Sequence, residues 1–249
     1  MPARSREIVV TGLGAVSCLG NSVAETWAAL LNGRCGIGPL AGLDAERHRI
    51  RHAGEVRDPP TPEEASLDPA TRFALCACRE AAEQAGLAGA QRRKTALILG
   101  SNFGAMAATE RFLSGDAGAA CQSGLAGPGE VVARTLGLGG PRSDLSLSCA
   151  SGNAAIASAV DRIRTGEAEI VIAGGYDAIS EIVWAGLCAL RAMTSDTLRP
   201  FDRRRDGTIF SEGAGALVIE SASSAARRGA VPLAVVLGCA TTNDAYHMT

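Results

Sequence analysis

A β-branched apolar run at residues 7–11 predicts a strand that breaks at Gly12-Leu13-Gly14. Asn21 or Ser22 stands where a helix cap belongs, ahead of an apolar-periodic stretch reaching about Leu31. Residues 41–69 turn charged and proline-rich and predict an excursion from the core, with helix resuming near Thr71 and stopping at Gly86. Further strands are predicted at 95–99, 145–147, 169–173 and 214–220, and another begins at 233–237. Residues 114–129, loaded with Gly, Ala and Ser, read as a flexible loop or lid before a short helix at 130–136; residues 153–165 read as a longer helix. Alternating strands and helices favour right-handed crossovers, hence an α/β fold with a mostly parallel, five-stranded sheet covered on both faces.

Composition narrows the class. The 249 residues are 47% hydrophobic but only 4% aromatic, so the core is built from Ala, Gly, Val and Leu in closely packed layers. A net charge of −2 gives no sign of a nucleic-acid or acidic-membrane partner. Eight scattered cysteines read as reduced thiols, and Cys76 and Cys78 lack the spacing of a redox or zinc motif. No apolar stretch reaches the length of a membrane span and the basic start precedes a short strand, so a soluble cytoplasmic protein is expected.

Candidate chemistry centres on Leu145-Ser146-Leu147-Ser148-Cys149-Ala150-Ser151-Gly152-Asn153, where a strand delivers a cysteine into small residues that open a helix. Unpaired N–H groups and the positive end of the helix dipole favour thiolate over thiol there, making Cys149 the candidate nucleophile. Gly12-Leu13-Gly14 hints at a dinucleotide fingerprint and thus a nicotinamide enzyme. Ser17 stands where the third small residue belongs, however, and glycines easing a tight turn explain the run better. Gly174-Gly175 is expected to serve close backbone packing, and residues 199–207 a solvated ion-pair network rather than an anion clamp. His48 and His52 are expected to face water, and His247 has too little chain after it to be placed as a base.

Taken in order, Val10-Thr11-Gly12-Leu13-Gly14, Gly20-Asn21-Ser22, Ser148-Cys149-Ala150-Ser151-Gly152, Ala173-Gly174-Gly175, residues 199–207, Gly213-Ala214-Gly215 and Asp244-Ala245-Tyr246-His247-Met248-Thr249 resemble the β-ketoacyl-[acyl-carrier-protein] synthases. The resemblance spans nearly the whole chain and points to the elongating synthases of fatty-acid or polyketide synthesis. It implies a thiolase-like layered α-β-α fold, residues 1–230 forming the N-terminal domain and 231–249 the start of a second half. It also implies an acyltransferase in which Cys149 takes an acyl chain from a carrier's phosphopantetheine thiol, its N–H serving the oxyanion hole. Decarboxylation of malonyl-carrier then supplies the attacking carbanion. No metal or cofactor of its own is implied, since phosphopantetheine arrives on the acyl carrier protein.

By the same resemblance Phe103 and Leu187 line the acyl pocket, Phe103 shortening or altering it, and Thr249 borders the pantetheine channel. A homodimer, or a heterodimer with another synthase, is implied. Two family histidines that activate the malonyl unit belong to motifs this chain does not contain, and Glu63-Glu64-Ala65-Ser66 stands where basic carrier-docking residues are usual. A second expectation is therefore a non-catalytic, ketosynthase-like partner or chain-length subunit. Relatives in that role tend to replace the cysteine, which this chain keeps.

Overall fold

The computed structural model describes residues 7–57 and 65–245, so Glu63, Glu64, His247 and Thr249 lie outside the described residues. Its first strand, β1 (Ile8–Ser17), runs straight through Gly12-Leu13-Gly14, with only a register shift between Val10 and Gly12. Next come α1 (Val23–Leu31), capped by the Ser22 hydroxyl, a small hairpin of β2 (Gly38–Pro39) and β3 (His52–Ala53), and α2 (Pro69–Gln84). Asp68 caps α2 and also accepts the Ala108 N–H at 2.6 Å. The break expected at the glycines does not occur because they serve contact, not turning. A Cβ on Gly12 or Gly14 would overlap the carbonyl oxygens of Ala81 or Ala77, so α2 rests directly on strand backbone.

The chain continues through α3 (Gly89–Arg92), β4 (Ala96–Gly100), α4 (Met106–Leu113), α5 (Ala126–Leu136), β5 (Arg142–Leu145), α6 (Ser151–Thr165) and β6 (Ile170–Asp177). It closes with α7 (Glu181–Ala189), β7 (Gly213–Ser221), α8 (Ala222–Arg228) and β8 (Ala234–Val235). The main sheet has six strands in the order β5-β4-β6-β7-β1-β8. The expected parallel pairing holds for β5, β4 and β6, which helical crossovers connect. It gives way to antiparallel pairing from β6 outward, because the link through α7 returns at the same end of the sheet, placing Gly213 opposite Asp177.

Strand alternation splits the core between two faces. Leu97 and Leu99 of β4 pack with Phe73 of α2 and Val132 of α5, whereas Ile98 packs with Ala155, Ala159 and Val160 of α6. This is the layered α-β-α arrangement. The charged excursion joins a third cluster, in which Trp184 of α7 is fully buried among Leu40, Ile50 and Ala53 and donates to the Ile50 carbonyl at 3.1 Å. His48, expected in water, is buried there, its Nε2 3.1 Å from the Glu181 carboxylate but off the hydrogen-bonding direction; His52 is exposed as expected.

The segment read as a flexible lid is ordered by the contacts its glycines permit. It holds a 3-10 turn at Ala117–Gln122, and α5 starts at Ala126, ahead of the expected 130. Gly129 lies against the Asp144 carboxylate, where any Cβ would collide. Burial there pushes Asp144 up to about 6, with Arg142 pulling the other way and Glu130 adding to the rise, and one carboxylate oxygen has no hydrogen-bond partner. A folded-state value above the ordinary 3.8 means the folded protein holds the extra proton, so this group costs stability as pH rises from about 4 through about 6. Asp144→Asn is expected to match the wild type in urea-unfolding free energy near pH 3 and to exceed it by about 1–2 kcal/mol at pH 7.5. An equal gap at both pH values would contradict this.

Candidate active site

After β5 ends at Leu145 the chain leaves the sheet and doubles back into α6. Ser148 sits at φ 47°, in the left-handed region that a non-glycine residue rarely enters. The turn closes with the Ala150 N–H on the Leu147 carbonyl at 3.0 Å and the Ser151 N–H on the Ser148 carbonyl at 3.1 Å. Cys149 lies at this elbow, solvent-exposed, one residue before the N-cap Ala150. Ala150 supplies no capping side chain, so the positive end of a 15-residue helix faces the space beside the thiol.

Glycines hold the helix start in place. Gly100 on β4 pairs in register with Gly175 on β6, and Gly175 with Gly215 on β7, forming a smooth row across three strands. A Cβ on Gly175 would lie 2.9 Å from the Gly152 Cα, and one on Gly100 would overlap the Ser151 carbonyl. The expectation that Gly174-Gly175 serves close packing agrees with this, since a Cβ on Gly174 would overlap the Gly215 carbonyl oxygen. Above the row opens a cleft of about 340 Å³ whose walls include Cys149, Tyr176, Asp177, Ser211 and Gly213.

Asp177 fixes one wall. Its carboxylate accepts from the Ser101 hydroxyl at 2.7 Å and from the Asn102 and Phe103 N–H groups at 3.1 and 3.0 Å. Burial raises its pKa, while those same hydrogen bonds act in the opposite sense. The clamp sets the position of Phe103, whose ring packs in the α7 cluster together with Leu187. The structure thus brings Phe103 and Leu187 together, one loop away from Cys149, although neither lines the cleft itself.

Neither His48 nor His52 lines the cleft. Residues 199–207 carry local ion pairs, Arg199 with Asp196 at 2.9 Å and Arg204 with Asp202 at 3.4 Å, as expected of a solvated network. None of the eight cysteines is joined in a disulfide. Among the described residues no group of three His, Cys, Asp or Glu side chains is placed to hold a metal, and no helix is long and apolar enough to cross a membrane. Sequence reasoning missed Ser148, Ser151, Asp177 and Ser211. Ser148 and Ser151 stood in the run around Cys149 without a role of their own, Asp177 lay just past the Gly174-Gly175 pair, and Ser211 carried no local signal.

Residues 5–225 match the family model described as "Beta-ketoacyl synthase, N-terminal domain". The chain is 37% identical to Nodulation protein E of Rhizobium meliloti (strain 1021), covering 98% of this chain and 65% of that protein. It is 33% identical to 3-oxoacyl-[acyl-carrier-protein] synthase 2 of Synechocystis sp., covering 98% and 64% respectively. Among solved structures, the ishigamide ketosynthase/chain length factor superposes with a TM-score of 0.85 at 32% identity, over 94% of this chain and 63% of that one. A type II polyketide ketosynthase in complex with its acyl-carrier protein, AntDE:AntF, superposes with a TM-score of 0.85 at 29% identity, over 98% and 65%. The chain therefore spans about 65% of the length of the curated relatives it matches.

Proposed function

Because this chain belongs to the β-ketoacyl synthase family, we propose that Cys149 accepts an acyl group from the phosphopantetheine thioester of an acyl carrier protein, as the loading step of a decarboxylative condensation in fatty-acid or polyketide synthesis. The observation that carries this reading is the exposed thiol at the elbow of β5 and α6, in a cleft floored by glycines. The Cys149 thiolate attacks the thioester carbonyl, the carbonyl oxygen gathers charge beside the uncapped amides of α6, and the carrier thiolate leaves and takes up a proton. Malonyl-carrier then loses carbon dioxide, and its carbanion attacks the acyl-Cys149 carbonyl, expelling the sulfur and releasing a β-ketoacyl-carrier.

In this reading the apolar cluster holding Phe103 and Leu187 receives the acyl tail, and Thr249 borders the pantetheine. An acyl carrier protein and a second synthase chain are the proposed partners, in the cytoplasm, with no resident cofactor.

A second reading, a non-catalytic partner of another synthase, draws support from the absence of His48 and His52 from the cleft. The retained thiol favours the first. Incubation with a hexanoyl-carrier should add the hexanoyl mass to Cys149 of the wild type and nothing to Cys149→Ala, as read by peptide mass spectrometry. A folded wild type that takes up no acyl group would leave the partner reading standing.

A further inference from the structure

One buried hydroxyl holds the turn that presents the thiol. Ser151 is 3% exposed, so little water competes for it. Its Oγ accepts the Leu147 N–H at 2.8 Å and donates to the Ser148 carbonyl at 2.6 Å, with the Ser101 carbonyl a longer 3.3 Å away. The two shorter bonds straddle Ser148, the residue held at φ 47°. A left-handed non-glycine residue is strained and persists only where its surroundings over-determine it. Here the surroundings are the two main-chain bonds that close the turn and this hydroxyl, itself pinned because the Ser151 carbonyl abuts Gly100 with no room to shift.

We propose that Ser151 is the positioning residue for the Cys149 thiol: its hydroxyl locks the 147–149 turn with Ser148 left-handed, which keeps Cys149 in the cleft wall at the start of α6. Alanine at 151 removes the partner of the Leu147 N–H and one of the two donors to the Ser148 carbonyl. Ser148 then relaxes toward negative φ and carries the next residue with it. This deepens the proposed function and rests on Cys149 being the acyl-accepting sulfur.

The test compares wild type, S151A, S148G and S148G/S151A, measuring hexanoyl-carrier loading and the rate of Cys149 alkylation by iodoacetamide. S151A should load about 10- to 100-fold more slowly at saturating carrier, with the half-saturating carrier concentration unchanged. Glycine adopts positive φ unaided, so S148G/S151A should load within about threefold of S148G alone. S151T, which keeps the hydroxyl, should stay within about threefold of wild type and serves if S151A folds poorly. Wild-type rates in S151A, or a loss in the double variant as large as in S151A, would overturn the assignment, because a merely structural serine is not rescued by glycine three residues away. A wild type that does not load at all counts against the function instead, and the alkylation rates of the same four proteins then decide the role of Ser151.

Discussion

Gly100→Ala is expected to slow acyl loading of Cys149 by about 100-fold or more while leaving most of the fold intact. The added methyl would overlap the Ser151 carbonyl and stand 2.9 Å from the Gly152 N, both main-chain atoms of the first turn of α6. Neither can swing aside as a side chain does, so the helix start must lift away from β4. A displacement of about 1 Å at a reacting group is worth about two orders of magnitude in rate. Overpacking of this kind costs about 1–3 kcal/mol of stability, so the variant should still fold. Gly186→Ala is the control: it lies exposed in α7 with no atom near its added Cβ, and alanine there should leave loading unchanged and stability equal or slightly higher. Loading by Gly100→Ala at the Gly186→Ala rate would remove the glycine row from any part in seating the thiol.

Arg228→Met should destabilise the protein by about 3–5 kcal/mol, the largest single-site loss expected outside the apolar core. Glu220 on β7 is fully buried, and Arg228 at the end of α8 is its counter-ion, with Nε 3.0 and 3.1 Å from the two carboxylate oxygens. Thr11 of β1 donates to the same carboxylate at 2.7 Å, and Arg228 also reaches the Ala85 carbonyl just past α2. Removing the guanidinium strands a buried carboxylate; removing both charges does not. Arg228→Met combined with Glu220→Leu should therefore recover at least half of the loss in urea midpoint. If the double variant loses as much as Arg228→Met and Glu220→Leu added together, the pair does not act as a unit.

Much of the frame was legible because it is local. Strands β1, β4, β6 and β7 announce themselves as short apolar runs, and Ser22 marks the start of α1 because a cap and its helix are neighbours in sequence. The elbow that carries Cys149 was legible for the same reason, as strand, cysteine and small residues in succession. What escaped notice depends on distance. The antiparallel half of the sheet follows from where the chain re-enters after α7, which no local pattern encodes. Helix α7 is apolar on most sides and so shows no clean period. Arg228 looked like part of a basic turn, but its partner stands on β7, and Gly12 and Gly14 looked like a turn because the helix that needs them bare starts more than fifty residues later.

Beneath the turn that Ser151 locks, the floor is made of main-chain atoms at positions 100, 152 and 175. Such a floor has almost no adjustable parts, so a side chain acquired at any of those three sites breaks it. Libraries that spare the three glycines and Ser151 can therefore remodel the outer walls of the cleft and still leave the sulfur where it stands.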